Sequence, residues 1–331
     1  MGRWATCRIA RLFAVLMLAI ATTSYAQRSH AAEPTVRINI VTWPGYGPIY
    51  LGQEKNFFKE EGIKVEVVIQ ENTQARTAAL IANEIDLIGI TFDSIVLANM
   101  KGLPMQVIGV TDISNGADGI IAKPDIKGIP DLAGKRVAFP EGQPSHIFLL
   151  YHLNKAGVPP SKIVPVLTDD AGKAGELFAA GQVDAAVTWE PWLSTAVKAG
   201  QGQLLVSSEG ATDILIGIFA ANRNRVEANR SKLRAFVRGW YRSVQYAKEH
   251  PDEANPIMAK GMGMPEAEFI DALSGLRFIE RSEAEKLLGA GKREGDFSKI
   301  AVDNAELWKR AGAADKLPNP RQTYSPVAIE R

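Results

Sequence analysis

The chain has 331 residues, 46% of them hydrophobic and 23% charged, which is material for about two domain cores and excludes whole-chain disorder. Its 38 basic residues against 37 acidic ones leave a formal net charge of +1, with no excess to hold nucleic acid or another polyanion.

Residues 1–26 read as a secretory signal peptide. Arg3, Arg8 and Arg11 form a basic start, Leu12 to Ala21 an apolar stretch too short to span a bilayer, and Ser24 and Ala26 a small-residue cleavage site. A second acceptable cut follows Ala31. Cleavage after Ala26 leaves 35 basic residues against 37 acidic, a formal charge of −2. Cys7 precedes the apolar stretch, whereas a lipid-modified cysteine would follow it, so the expectation is a periplasmic chain without a lipid anchor and, once processed, without cysteine.

From Val36 onward short β-branched runs alternate with amphipathic stretches, the pattern of βαβ units around mainly parallel sheets. In a first series, strands at Val36 to Val41, Val65 to Ile69, Asp86 to Ile90 and Met105 to Val110 alternate with helices near Ile49 to Glu60, Gln74 to Asn83 and Ser94 to Lys101. A second series repeats the plan, with strands at Arg136 to Phe139, Ile163 to Val166, Ala185 to Thr188 and Leu204 to Val206. Its helices fall near Ser145 to Ala156, Ala171 to Ala180 and Pro191 to Ala199. Ala82-Asn-Glu-Ile-Asp86 aligns with Ala180-Gly-Gln-Val-Asp184, each closing a helix and opening a strand, and Thr91 and Trp189 then fall at equivalent strand ends. Runs from Gly119 to Ala122 and from Ile214 to Ala221 are the expected crossings between two units, with Gly119 and the stretch near Asn222 as hinge points. Beyond Arg225 the chain turns helical; Leu233, Phe236, Val237, Trp240, Tyr241, Val244 and Tyr246 on the stretch Glu227 to His250 read as a core-facing stripe.

Catalytic and metal-binding signatures are missing. No histidine pair has metal-ligand spacing with a carboxylate or cysteine, and there is no G-x-S-x-G elbow, phosphate loop or G-x-G-x-x-G turn. No catalytic residue, metal or cofactor is assigned. The alternative from another class is a periplasmic hydrolase using Ser145 and His146, although adjacent helical residues point in different directions.

In doubly wound sheets ligands bind outside the carboxyl ends of the strands, and those loops are rich in rings and polar groups here. The candidate ligand contacts drawn from them are Trp43, Tyr46, Thr73, Gln74, Thr91, Asp93, Ser94, Asp112, Asp118, Glu141, Ser145, His146, Trp189 and Glu190. Thr73, Ser94 and Ser145 also read as ordinary helix N-caps, and Trp192 as packing.

Four segments together carry a resemblance. They are Gly45-Tyr-Gly-Pro48 with Glu54-Lys-Asn-Phe-Phe-Lys-Glu-Glu-Gly-Ile-Lys-Val-Glu66, Asp131-Leu-Ala-Gly-Lys-Arg-Val-Ala138, Gly181-Gln-Val-Asp-Ala-Ala-Val187, and Trp189-Glu-Pro-Trp192. In this order, over roughly Val36 to Ala311, the chain resembles the periplasmic binding proteins of the nitrate, sulfonate and taurine import family, which also includes binders of thiamine-pyrimidine precursors. The resemblance implies a two-lobed α/β fold with a hinge, lobe I over residues 35–120 and 224–325 and lobe II over 121–223. It also implies a receptor that clamps a small solute and delivers it to an ABC permease with a separate ATPase; a monomer without enzymatic activity is expected. Tyr46, Thr73, Thr91, Ser145 and Trp189 fall on the family's cleft-lining segments. Asp112, Asp118 and Glu141 make the loops unusually acidic for an anion binder, so the expected ligand is a neutral or cationic nitrogenous solute, an amine or pyrimidine, with an aliphatic sulfonate, taurine or nitrate as the alternative.

Overall fold

The computed structural model describes residues 33–200, 202–211, 214–289, 295–314, 316 and 323. The leader expected over residues 1–26 lies outside them, as does most of the tail beyond 316.

In β1 (Thr35–Ile40) every second residue, Val36, Ile38 and Ile40, is buried, as strand periodicity requires. This strand pairs in parallel with β2 (Lys64–Ile69) and β3 (Leu87–Thr91). Beyond β3 the first sheet continues with β10 (Ile216–Asn222), β4 (Met105–Ser114) and β11 (Leu276–Phe278), all joined antiparallel, in the order β2-β1-β3-β10-β4-β11. The second sheet has the order β7-β6-β8-β5-β9, built from β5 (Asp118–Ala122), β6 (Arg136–Pro140), β7 (Val164–Thr168), β8 (Ala185–Trp189) and β9 (Gln203–Ser207). Strand β6 lies parallel to β7 and β8, and β5 runs antiparallel to β8 and β9. Each sheet is therefore mixed, a parallel half followed by an antiparallel strand that has crossed from the other lobe. The crossings fall earlier than the sequence boundaries: β5 already belongs to the second sheet and β10 to the first. The chain passes between lobes at 114–118 and again at 207–216. Gly119 and Asn222, expected as hinge points, instead sit within paired strands.

Helices α1 (Gly47–Glu54), α2 (Phe57–Glu60), α3 (Thr73–Ile81) and α4 (Phe92–Met100) flank the first sheet; the single helix expected over 49–60 is broken at Asn56, which adopts φ 61°. Helices α5 (Pro144–Lys155), α6 (Ala171–Ala179) and α7 (Trp192–Gly200) flank the second. The helical tail contributes α8 (Arg230–Glu249), α9 (Pro251–Met262), α10 (Glu266–Ser274), α11 (Arg281–Leu288) and α12 (Phe297–Arg310). The stripe on α8 faces the first core, with Phe236 stacked on Phe58 and Trp240 edge-on to Phe219. Tyr246 is the exception: its hydroxyl donates to Glu253 at the surface. Helix α12 packs on α4 of one lobe and α5 of the other. Both lobes belong to one compact unit that begins at Thr35.

The repeated Asp86 and Asp184 perform the same structural task. Asp86 accepts the Arg37 backbone N–H at 2.9 Å and the Lys232 ammonium at 2.8 Å, while its own N–H donates to the Arg37 carbonyl at 2.9 Å. Asp184 accepts the Arg136 N–H at 3.0 Å and Lys123 at 2.7 Å, and donates to the Arg136 carbonyl at 2.9 Å. Each carboxylate thus locks a parallel strand pair at the end away from the cleft. Hydrogen bonds to charged groups are worth about 1.5–3 kcal/mol when buried, and partial exposure reduces that. Asp86→Ala and Asp184→Ala should each lower unfolding stability by about 1–2 kcal/mol, and their effects should add in the double variant, because the two share no partner. Urea unfolding followed by circular dichroism measures both.

Candidate functional site

The carboxyl ends of the two sheets face each other across a small cavity. Its wall from the first lobe is Val41, Trp43, Tyr46, Thr73, Arg76, Gly89, Ile90, Thr91, Asp112, Ser114, Leu215 and Gly217; from the second lobe come Asp118, Gln143, Pro144 and Trp189. The space is about 40 Å³, roughly the room that three ordered waters need. Trp189 closes one side by donating its indole N–H across the cleft to the Thr42 carbonyl at 3.3 Å.

Asp112 is held most firmly. The Trp43 indole donates to its Oδ2 at 2.9 Å and the Thr111 hydroxyl to its Oδ1 at 2.6 Å. Two glycines leave it space: a Cβ at Gly45 would stand 2.7 Å, and one at Gly217 2.5 Å, from Asp112 Oδ1, so no larger residue fits at either position without moving the carboxylate. Burial pushes Asp112 up to about 6 against the two hydrogen bonds that favour its ionised form. Asp118 is pushed up to about 7, mainly by burial, opposed by the Ser114 hydroxyl and reinforced by Asp112, Asp93 and Glu190.

Opposite these acids stands Arg76, 3% exposed, reaching from the first turn of α3. Its guanidinium donates to the Gly89 carbonyl and, at 2.9 Å, to the Thr73 hydroxyl, while its Nε is buried with no partner. Strand β10 separates β4, which carries Asp112, from β3, whose Gly89 carbonyl Arg76 reaches from α3. Tyr46 lies between them and feels both: burial first, then Asp112, raise its pKa, and Arg76 lowers it. The cavity has an acidic end and a basic end.

Of the residues singled out from the sequence, Trp43, Tyr46, Thr73, Thr91, Asp112, Asp118 and Trp189 line the cavity. The others stand outside it. Gln74, Ser94 and Glu141 border an adjoining, largely apolar groove, and Ser94 shares a 3.0 Å hydrogen bond with Thr91. Asp93 is fully buried beneath the wall, raised to about 7 by burial, and its backbone carbonyl accepts the Trp308 indole at 3.1 Å. Glu190 turns back to accept the Ser194 N–H and hydroxyl at 3.2 and 2.7 Å, capping α7. The hydrolase pair does not assemble: Ser145 Oγ is buried without a partner, and His146 Nδ1 accepts the Gly142 N–H at 3.1 Å while its ring packs on Phe139 and Trp308. Burial lowers His146 to about 4, leaving it neutral. The helices begin one or more residues before the expected caps, at Asn72, Thr91 and Gln143, of which Asn72 accepts the Ala75 N–H at 2.8 Å. Among the described residues no His, Cys, Asp or Glu cluster is arranged to hold a metal ion. Arg76 is absent from the sequence-derived contacts, and the signal for it was Thr73 three residues earlier, which a helix puts on the same face.

Two α/β lobes with a cavity between their facing strand ends constitute the periplasmic binding protein fold. The chain belongs to the NMT1/THI5-like family, whose model matches residues 43–254. It is 25% identical over 247 residues to a putative aliphatic sulfonates-binding protein of Bacillus subtilis, covering 72% of this chain and 73% of that one. It is also 21% identical over 308 residues to the taurine-binding periplasmic protein of Escherichia coli, covering 89% and 92%. Among solved structures, the alkanesulfonate-binding protein of Xanthomonas axonopodis pv. citri, solved with MOPS bound, superposes with a TM-score of 0.72 at 22% identity, over 89% of this chain and 99% of that one.

The raised acids have a sign that can be tested. A carboxyl whose folded pKa lies above its unfolded value binds more protons in the native state, so unfolding free energy falls as pH rises between the two values. With Asp112 at about 6 and Asp93 and Asp118 at about 7, against 3.8 unfolded, ligand-free protein should lose stability from about pH 4 to pH 8. Asp118→Asn should flatten that slope and raise the melting temperature at pH 8, as calorimetric scans across the range would record.

Proposed function

We propose that the protein is an exported, monomeric receptor of an ABC importer, located in the periplasm, which clamps a small solute carrying both a cationic nitrogen and an anionic head, and presents it to a permease driven by a separate ATPase. Taurine is the model solute. The observation that carries this reading is the pairing of Asp112 and Asp118 at one end of the cavity with Arg76 at the other. Charge-assisted hydrogen bonds to both groups call for a small solute that carries a cation and an anion on one short chain. An aminoethanesulfonate has that layout.

Simpler ligands leave one end unanswered. An amine or pyrimidine, the expectation from the acidic loops, pairs with the carboxylates but leaves the Arg76 charge unanswered. An alkanesulfonate or nitrate answers Arg76, helped by the Thr73 and Thr91 hydroxyls, but faces two carboxylates. The relatives named for aliphatic sulfonates and taurine favour the anion-binding alternative over the amine or pyrimidine. A solute of both charges satisfies the relatives and the acids together. Binding without turnover is the whole of the activity.

Isothermal titration with taurine, ethanesulfonate, ethylamine, nitrate and a pyrimidine tests it. Taurine should bind at least tenfold more tightly than any of the others. Arg76→Leu and Asp112→Asn should each weaken taurine by tenfold or more, about 1.4 kcal/mol, since each leaves a buried charge without its partner. Undiminished taurine binding in both variants, or a preference for ethanesulfonate, would overturn the reading.

A further inference from the structure

The two chain crossings are not the whole connection between the lobes. Helix α12 also lies on both, against α4 of the first and α5 of the second. Its buried residues, Phe297, Ala301, Asn304, Ala305 and Trp308, follow helical spacing and form one face. Towards the first lobe, Phe297 stacks on Phe92 with ring centroids 4.0 Å apart, and the Trp308 indole donates to the Asp93 carbonyl at 3.1 Å. Phe92 and Asp93 open α4. Towards the second lobe, the Trp308 ring stands edge-on to His146 at 5.3 Å, in the first turn of α5, and the Arg310 guanidinium donates at 3.0 Å to Oδ1 of Asn154, in its last turn.

The helix starts held in this way carry cavity wall. Thr91 directly precedes α4 and shares a hydrogen bond with Ser94 in its first turn, while Gln143 and Pro144 begin α5, where His146 accepts the Gly142 N–H. Trp308 lines no part of the cavity, yet its one side chain touches the segment that supplies Thr91 and the segment that supplies Gln143 and Pro144. The two attachments are unequal. Phe297 and Trp308 are fully buried where they meet α4, whereas the hydrogen bond from Arg310 to Asn154 is exposed. From this we infer that α12 is a clasp between the lobes and Trp308 a positioning residue for the solute: α12 moves with the first lobe, and its last turn grips α5 in the closed arrangement and releases it on opening. A bond made only in the closed arrangement raises the closed fraction of the free protein, and apparent affinity scales with that fraction.

The affinity part of the test rests on the taurine reading; the distance part does not. Spin labels at Lys64→Cys and Lys162→Cys, exposed positions beside the starts of β2 and β7 and so far from the cleft in each lobe, report lobe separation by pulsed electron resonance in a Cys7→Ser background. Arg310→Ala removes the exposed bond, Trp308→Phe keeps a ring but loses the N–H, and Asn154→Asp gives Arg310 a carboxylate. Without taurine, Arg310→Ala and Trp308→Phe should shift the population to longer distances, and Asn154→Asp should stay at least as closed as wild type. Saturating taurine should return both opened variants to the wild-type distance, and taurine affinity should fall about threefold in Arg310→Ala, the worth of one net hydrogen bond. Unshifted distances in folded Arg310→Ala and Trp308→Phe overturn the clasp. A shift that persists at saturation marks a packing defect and overturns it too. Shifted distances with unchanged taurine affinity overturn the positioning role, and shifted distances in a protein that does not bind taurine leave the clasp standing and refute the ligand.

Discussion

Burying carboxyl groups without a cation is the constraint around which the cleft is organised. Taking an ionised carboxylate out of water costs several kcal/mol unless it is paired, so a buried acid either acquires a partner or keeps its proton. Asp93, Asp112 and Asp118 all rise for this reason, and no ion pair relieves them among the described residues. The protein invests specific structure in keeping Asp112 in place nonetheless, through Trp43, Thr111 and the two glycines that make way for it. Arg76, buried with an unsatisfied Nε, poses the complementary demand within the same walls.

The fold makes this possible by using one plan twice. Each lobe has a parallel half whose strand ends face the cleft and whose far ends are locked by an aspartate, Asp86 or Asp184. Each also receives one antiparallel strand from its neighbour, β5 or β10, at the same place in the sheet order. The crossings therefore enter between the strands that carry the site, and Asp118 is at once the first residue of a crossing strand and part of the cavity wall.

Much of this was legible in the sequence, because strand periodicity and the repeated Asp motif are local signals with direct physical causes. Both crossing strands, the two sheets and the loops that meet at the cavity follow from them. The boundaries were not, since a crossing strand looks the same whichever sheet it joins, which only long-range pairing decides. Side-chain direction within the loops was also hidden. Gln74 and Arg76 lie on one helical turn, yet only Arg76 faces inward; Glu190 follows cavity-lining Trp189 but turns back to cap α7. Ser145 and His146 sit at a helix start beside the cleft, but His146 packs on Trp308, a residue about 160 positions away that no local pattern could supply.

The most direct measurement is the proton balance of binding: calorimetric titration with taurine between pH 5.5 and 8 in buffers of differing ionisation enthalpy. Arrival of an ammonium beside Asp112 and Asp118 draws their pKa values down, so the account predicts net proton release that is largest near pH 6–7 and lost in the Asp112→Asn, Asp118→Asn double variant. Tight binding with no proton exchange anywhere in that range would contradict it.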